Sequence, residues 1–172
     1  MHYRSVCVLA ALAGAGIAYG ASAGSSVSGA DKQFLATVAK ADMVEAHEGQ
    51  MAEAQAARSD VKDFAKTLVQ DHTQSYVRLT ELAAKTGVTI PKGIDAAKES
   101  DIAPLSRLKG ARFDGAFARE EVAAHRRALA EFKREAAHGT DPDVKAFASE
   151  QIPVLEKHLR LAEECEKPAG RT

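Results

Sequence analysis

Four stretches of this chain carry apolar residues at alternating intervals of three and four, the spacing that lays one continuous stripe along an α-helix. A helix with such a stripe must bury it against another helix, and four of them bury theirs together. The first stretch runs from about Asp31 to Ala57, with Phe34, Leu35, Val38, Ala41, Glu45, Gly49 and Ala52 in its stripe. The second begins at Ser59, read as its N-cap, and runs to Lys85, with Gly87 as the stop signal. Its stripe is Val61, Phe64, Leu68, His72, Ser75, Leu79 and Leu82. The third runs from Arg112 to His138 through Phe113, Phe117, Glu121, His125, Leu129, Phe132 and Ala136, and Gly139 ends it. Asp141 and Pro142 open the fourth as cap and first turn. Val144, Phe147, Ala148, Gln151, Leu155, His158 and Ala162 line it, and Pro153 within it predicts a kink.

The connections fix the topology. Two or three residues separate the members of each pair, so each pair is expected to lie antiparallel. Residues 87–110 form a long connection between the second and third helices. There Val88-Thr89-Ile90-Pro91 reads as extended, and Asp101 to Lys109 as a short helix with Pro104 early in it. An internal repeat supports two hairpins: Asp60-Val61-Lys62-Asp63-Phe64-Ala65 recurs as Asp143-Val144-Lys145-Ala146-Phe147-Ala148, and the same offset lays Phe34 over Phe117. The expected fold class is therefore all-α: an antiparallel four-helix bundle over residues 31–166, with a crossover at 87–110 and a tail at 167–172.

The start of the chain reads as an export signal. His2 and Arg4 precede an apolar run from Val6 to Ala18, and Ala21-Ser22-Ala23 is a small-x-small cleavage site. Residues 1–23 are thus expected to be a signal peptide and Gly/Ser-rich residues 24–30 a flexible leader. The destination is then the periplasm or cell envelope. The apolar run is too short for a spanning helix, and no transmembrane span is expected after cleavage. Cys7 opens the run instead of following it, which argues against a lipoprotein anchor. Cleavage leaves Cys165 as the sole cysteine, so no internal disulfide can form. Cys165 reads as a weakly reactive thiol, with an intermolecular bridge as the alternative.

The remainder of the 172 residues suits one domain. Of 23 Lys and Arg, Arg4 lies in the signal, leaving near balance against 24 Asp and Glu, without a basic stripe and without Trp. Nucleic acid is not an expected partner, since binding it needs clustered cations to neutralise phosphates. The many alanines favour helices and close packing, and leave a homo-oligomer or an envelope partner open.

Glu45, His72, His125 and His158 occupy stripe positions where the helical period demands an apolar residue. There is one on each helix, each near the middle of its helix. Antiparallel helices bring such positions to one height. Burying these groups costs about a few kcal/mol each unless they are paired or bind a metal. Neutral imidazole with carboxylate suits Zn, Cu, Fe or Mn. Glu121, one turn before His125, is a possible fifth ligand, and Asp71 and Glu48 lie close enough to orient the others. The same residues also suit a hydrogen-bonded network that fixes helix register, or a small-molecule pocket. His47 is expected to face away from the set and His138 to be solvated. There is no Gly-x-Ser-x-Gly elbow, phosphate loop or Cys-His pair, so no catalytic residue is nominated.

Asp42 to Ala52, Asp71-His72-Thr73, Phe113-Asp114, Glu121 to His125 and Pro153 to Leu159 together resemble the exported bacterial proteins of the DUF4142 family, over about Asp31 to Ala162. The resemblance implies a ferritin-like four-helix bundle and no established activity. Ferritin-like di-iron sites use Glu-x-x-His pairs, whereas Val69, Val122 and Leu155 stand three residues before His72, His125 and His158. A mononuclear His-rich site fits this sequence better than a di-iron oxidase. The expectations are thus a metal-binding exported protein, a non-catalytic envelope protein with a structural polar network, or a ferritin-like oxidoreductase, against which the missing Glu-x-x-His pairs speak.

Overall fold

The computed structural model describes residues 27–168. The expected signal peptide and the first residues of the leader lie outside them, as does the end of the tail. The described residues form five helices and no strand: α1 (Gly29–Gln55), α2 (Ser59–Thr86), α3 (Ala96–Ser106), α4 (Ala111–His138) and α5 (Pro142–Glu166). None is long and apolar enough to cross a membrane.

Helix α1 starts at Gly29, inside what reads as leader. Ser28 and Asp31 form a capping box, each side chain accepting from the other's backbone N–H. Ser59 is not the N-cap of α2. Arg58 holds that position, and no side chain of its own caps the helix. The acceptor comes from α4 instead: the Asp114 carboxylate accepts from the N–H groups of Ala57 (3.0 Å) and Arg58 (3.2 Å). Helix α2 ends at Gly87, whose φ of 69° is the left-handed conformation that glycine adopts without strain. Asp141 caps α5 as expected, accepting from Asp143 and Val144, with Pro142 in the first turn. Helix α5 continues through Pro153, which lies on the exposed side.

The long helices pair in opposite directions. Asp42 meets His72 and Gly49 meets Val69 across α1 and α2, while Lys133 meets Glu156 and Arg126 meets Glu163 across α4 and α5. The two pairs join through α2 against α5 and α1 against α4. Gly49 lets α1 approach α2 closely. A Cβ there would stand 2.9 Å from the Ala65 carbonyl oxygen and 2.8 Å from a Val69 methyl.

The connection from α2 to α4 contains a fuller helix than expected. Helix α3 begins at Ala96 because Asp95 caps it through Lys98 N–H (3.0 Å), so Pro104 falls late in it rather than early. Before it, the extended residues place Ile90 in the core, and Tyr76 donates its hydroxyl to the Pro91 carbonyl at 2.9 Å. After it, Leu105 is buried and Gly110 N–H reaches the Gln55 carbonyl at 2.9 Å.

The apolar interior is divided. One cluster holds Phe34, Leu35, Leu79, Ile90, Phe132 and Phe147, with Phe34 edge-on to Phe132 at 5.0 Å between ring centres. The other holds Phe64, Leu68, Leu105, Phe113, Phe117 and Cys165, with Phe113 stacked on Phe117 at 5.6 Å. Burial pushes the Cys165 thiol up to about 11, so the cysteine is a packed core residue. Between the clusters lies a layer of buried polar side chains.

Candidate metal centre

The polar layer contains every residue singled out from the helical stripes. Glu45, His72, Glu121, His125 and His158 are all buried, with Glu121 and His125 at 1 % exposure and His158 at 0 %. They do not close on a single point. One nitrogen from each of His72, His125 and His158 forms a group whose members lie within 4.8 Å of one another. Glu45 belongs to a second such group, with Glu121 and His125. His125 is common to both.

The three imidazoles are oriented from outside. His72 Nδ1 lies 2.8 Å from Asp42 Oδ1, His125 Nδ1 lies 3.0 Å from the Glu121 carbonyl oxygen, and His158 Nε2 lies 2.9 Å from Asp71 Oδ2. Outer acceptors of this kind fix the tautomer of a histidine and turn its other nitrogen inward. The remaining nitrogens are His72 Nε2, which is buried with no hydrogen-bond partner, and the facing pair His125 Nε2 and His158 Nδ1.

That facing pair is 3.2 Å apart. Burial and the neighbouring charge of His72 push His158 down to about 3, so its ring is neutral and has one proton to give. Burial opposes ionisation of Asp71, but hydrogen bonds from His158 and Lys157 hold its carboxyl below the usual range, and it accepts. The Glu121 carbonyl also only accepts. With these tautomers, assigned from the hydrogen bonds, both N–H groups point outward and two lone pairs face each other. Such a contact is repulsive until a proton or a cation lies between the nitrogens.

The carboxyls add charge capacity. Burial and the adjacent Glu121 push Glu45 up to about 8, and burial, with Glu48 and Glu120 nearby, does the same to Glu121. Glu45 Oε2 and both oxygens of Glu121 are buried without a hydrogen-bond partner. A cavity of about 40 Å³ opens against Asp42, Glu45, His72, Ser75, His125 and His158, room for one small occupant. The donor set does not fit a ferritin-like di-iron centre, because Glu121 precedes His125 by four residues and no interior histidine has a Glu three before it.

Of the side chains expected to orient the set, Asp71 does so, while Glu48 is half-buried one turn from Glu45 and pushed up to about 8 by burial and the charge of Glu45. The apolar stripe places Ala41 on the buried side of α1 and passes over Asp42. The structure buries Asp42 and exposes Ala41. The signal was spacing: Asp42 is four residues after Val38 and three before Glu45. His47 and His138 are exposed.

The family model described as "Domain of unknown function (DUF4142)" matches residues 18–165 of the chain. No curated protein and no solved structure matches it.

Proposed function

Because the chain belongs to the DUF4142 family, whose function is unknown, we propose a role from its own side chains: it is an exported, ferritin-like four-helix bundle that binds a transition-metal ion in its interior. His72, His125 and His158 supply the nitrogens, and Glu45, with Glu121 as an additional carboxylate, supplies charge. Zn, Cu, Fe and Mn all suit imidazole with carboxylate. The observation that carries the reading is the pair of inward lone pairs on His125 and His158, 3.2 Å apart, with the unpartnered Nε2 of His72 beside them. Three imidazoles held from behind by acceptors are the arrangement that a metal ion requires.

An alternative is a non-catalytic envelope protein, acting through a partner or a second copy, whose polar layer only fixes helix packing. The continuous contact from His125 through His158 to Asp71 and Lys157 favours it, since a proton shared between the two rings would complete that chain. In either case the first 23 residues direct the chain to the periplasm or envelope. No catalytic residue is assigned, and nucleic acid is not a partner.

Elemental analysis of protein purified without chelator or affinity tag separates the two. Metal binding predicts bound metal and a thermal shift on adding Zn, Cu, Fe or Mn. His72→Ala should then reduce metal content. Absence of metal, with no thermal shift from any of the four, would leave the structural network as the account.

A further inference from the structure

We propose that Glu45 and Glu121 form a second cation position, distinct from the three-histidine position and adjacent to it. The inference rests on the metal-binding reading above and adds a second ion of harder character.

The two carboxyls come from different hairpins, Glu45 from α1 and Glu121 from α4, and both are buried. Three of their four oxygens have no hydrogen-bond donor: Glu45 Oε2, Glu121 Oε1 and Glu121 Oε2. Buried acceptors are almost always satisfied. A cation serves all of them at once. His125 marks the boundary between the positions. Its Nε2 faces His158, while its Nδ1 lies 3.4 Å from Glu121 Oε2. Carboxylate oxygens of Glu45 and Glu121 and a His125 nitrogen lie within 4.8 Å of one another, and because His125 Nδ1–H is given to the Glu121 carbonyl and its Nε2 faces His158, the two carboxylates are the protein ligands of this position. Water completes the shell.

Further acidic side chains flank this position. Glu48 lies one turn beyond Glu45 and is half-buried, and Glu120 beside Glu121 is exposed. Glu48 feels the charges of both Glu45 and Glu120. Lys98 of α3 is the cation facing Glu48, and its ammonium is paired to Asp101 at 3.1 Å. The two positions differ in chemistry. The histidine position offers nitrogen and suits Zn or Cu. The carboxylate position offers oxygen and favours harder divalent ions, and Zn or Mn supplied alone in excess enters both positions.

The test is metal loading of the full chain with Zn(II) alone and with Mn(II) alone, read as ions per chain after desalting and, for Mn(II), by electron paramagnetic resonance. Wild type is expected to take up a second ion, and neighbouring Mn(II) ions to give an exchange-coupled spectrum. Glu45→Gln with Glu121→Gln keeps the side-chain shapes, removes the charge, and should hold one ion on the histidines. Wild type saturating at one ion, with an isolated Mn(II) spectrum and no change in the Gln variant, overturns the second position and leaves the histidine site standing. Failure to bind either metal overturns the histidine site as well. The spectroscopic result on wild type decides the question even if the variant does not fold.

Discussion

Asp31 and Asp114 each hold the interhelical turn of the hairpin to which they do not belong. Asp31, in the first turn of α1, accepts from the N–H groups of Thr140 and Asp141 between α4 and α5 (3.0 and 3.2 Å) and from the Thr140 hydroxyl. Asp114, in the first turn of α4, accepts from Ala57 and Arg58 between α1 and α2. The offset that relates the repeated motifs relates the two aspartates and their partners as well. Asp114→Ala strands two backbone donors and is expected to cost about 1–3 kcal/mol in urea unfolding. Asp31→Ala should cost a similar amount, with an added pH signature. Burial opposes ionisation of Asp31, but Thr140 and Ser28 hold its carboxyl well below the usual 3.8. Its contribution is therefore present above pH 3.8 and is lost as pH falls through the lower folded value, so the wild-type and variant unfolding curves should converge in acid.

Glu135 predicts the opposite slope. Burial and then the adjacent Asp31 carboxylate push it from 4.5 up to about 7. Between those values the folded chain holds a proton that the unfolded chain releases, so stability falls as pH rises from 4.5 through 7. Glu135→Gln removes the charge and keeps a donor toward Asp31. The variant should match wild type near pH 5 and exceed it at pH 8 in thermal unfolding.

Asp71 tests whether the imidazoles are held for a metal. It is partly solvent-exposed, so Asp71→Ala should fold, but His158 then loses the acceptor that turns its Nδ1 inward. Loss of such a partner typically lowers metal affinity by about 10–100-fold. Competition with a chelator measures it. Unchanged affinity with lowered stability would instead mark Asp71 as a packing residue.

Gly49→Ala probes the tightest helix contact. The added methyl meets a backbone oxygen at 2.9 Å as well as Val69, and backbone cannot rotate away. Overpacking of this kind costs about 1–3 kcal/mol. Gly49→Ala combined with Val69→Ala should recover only part of the loss, because the Ala65 carbonyl remains.

The helical period made most of this architecture legible. Every stripe residue read on α2 is buried, and the interior position of the three histidines and two glutamates follows from the same periodicity. Its limits are physical. Periodicity gives height and side to within one residue, which was too coarse to choose between Ala41 and Asp42. Side-chain chemistry then favoured the wrong one, because a stripe is expected to be apolar. Nor does height reveal which side-chain tips converge. Glu45 stands level with the histidines, yet it pairs with Glu121, because its reach and direction depend on how the two hairpins meet. The caps from Asp31 and Asp114 were hidden for a related reason: each acts across hairpins, while sequence signals for capping are local.

The connection between the hairpins has a mechanical meaning. Ile90 at its start is anchored in one apolar cluster and Leu105 toward its end in the other. It thus straps the two halves of the core together along the outside, bypassing the ionisable layer between them. A proteolytic cut between these two anchors would open that strap without touching a single residue of the candidate metal centre. The halves would then be joined through the long helices and across the polar layer, and the fold's cohesion would come to depend on what that layer holds.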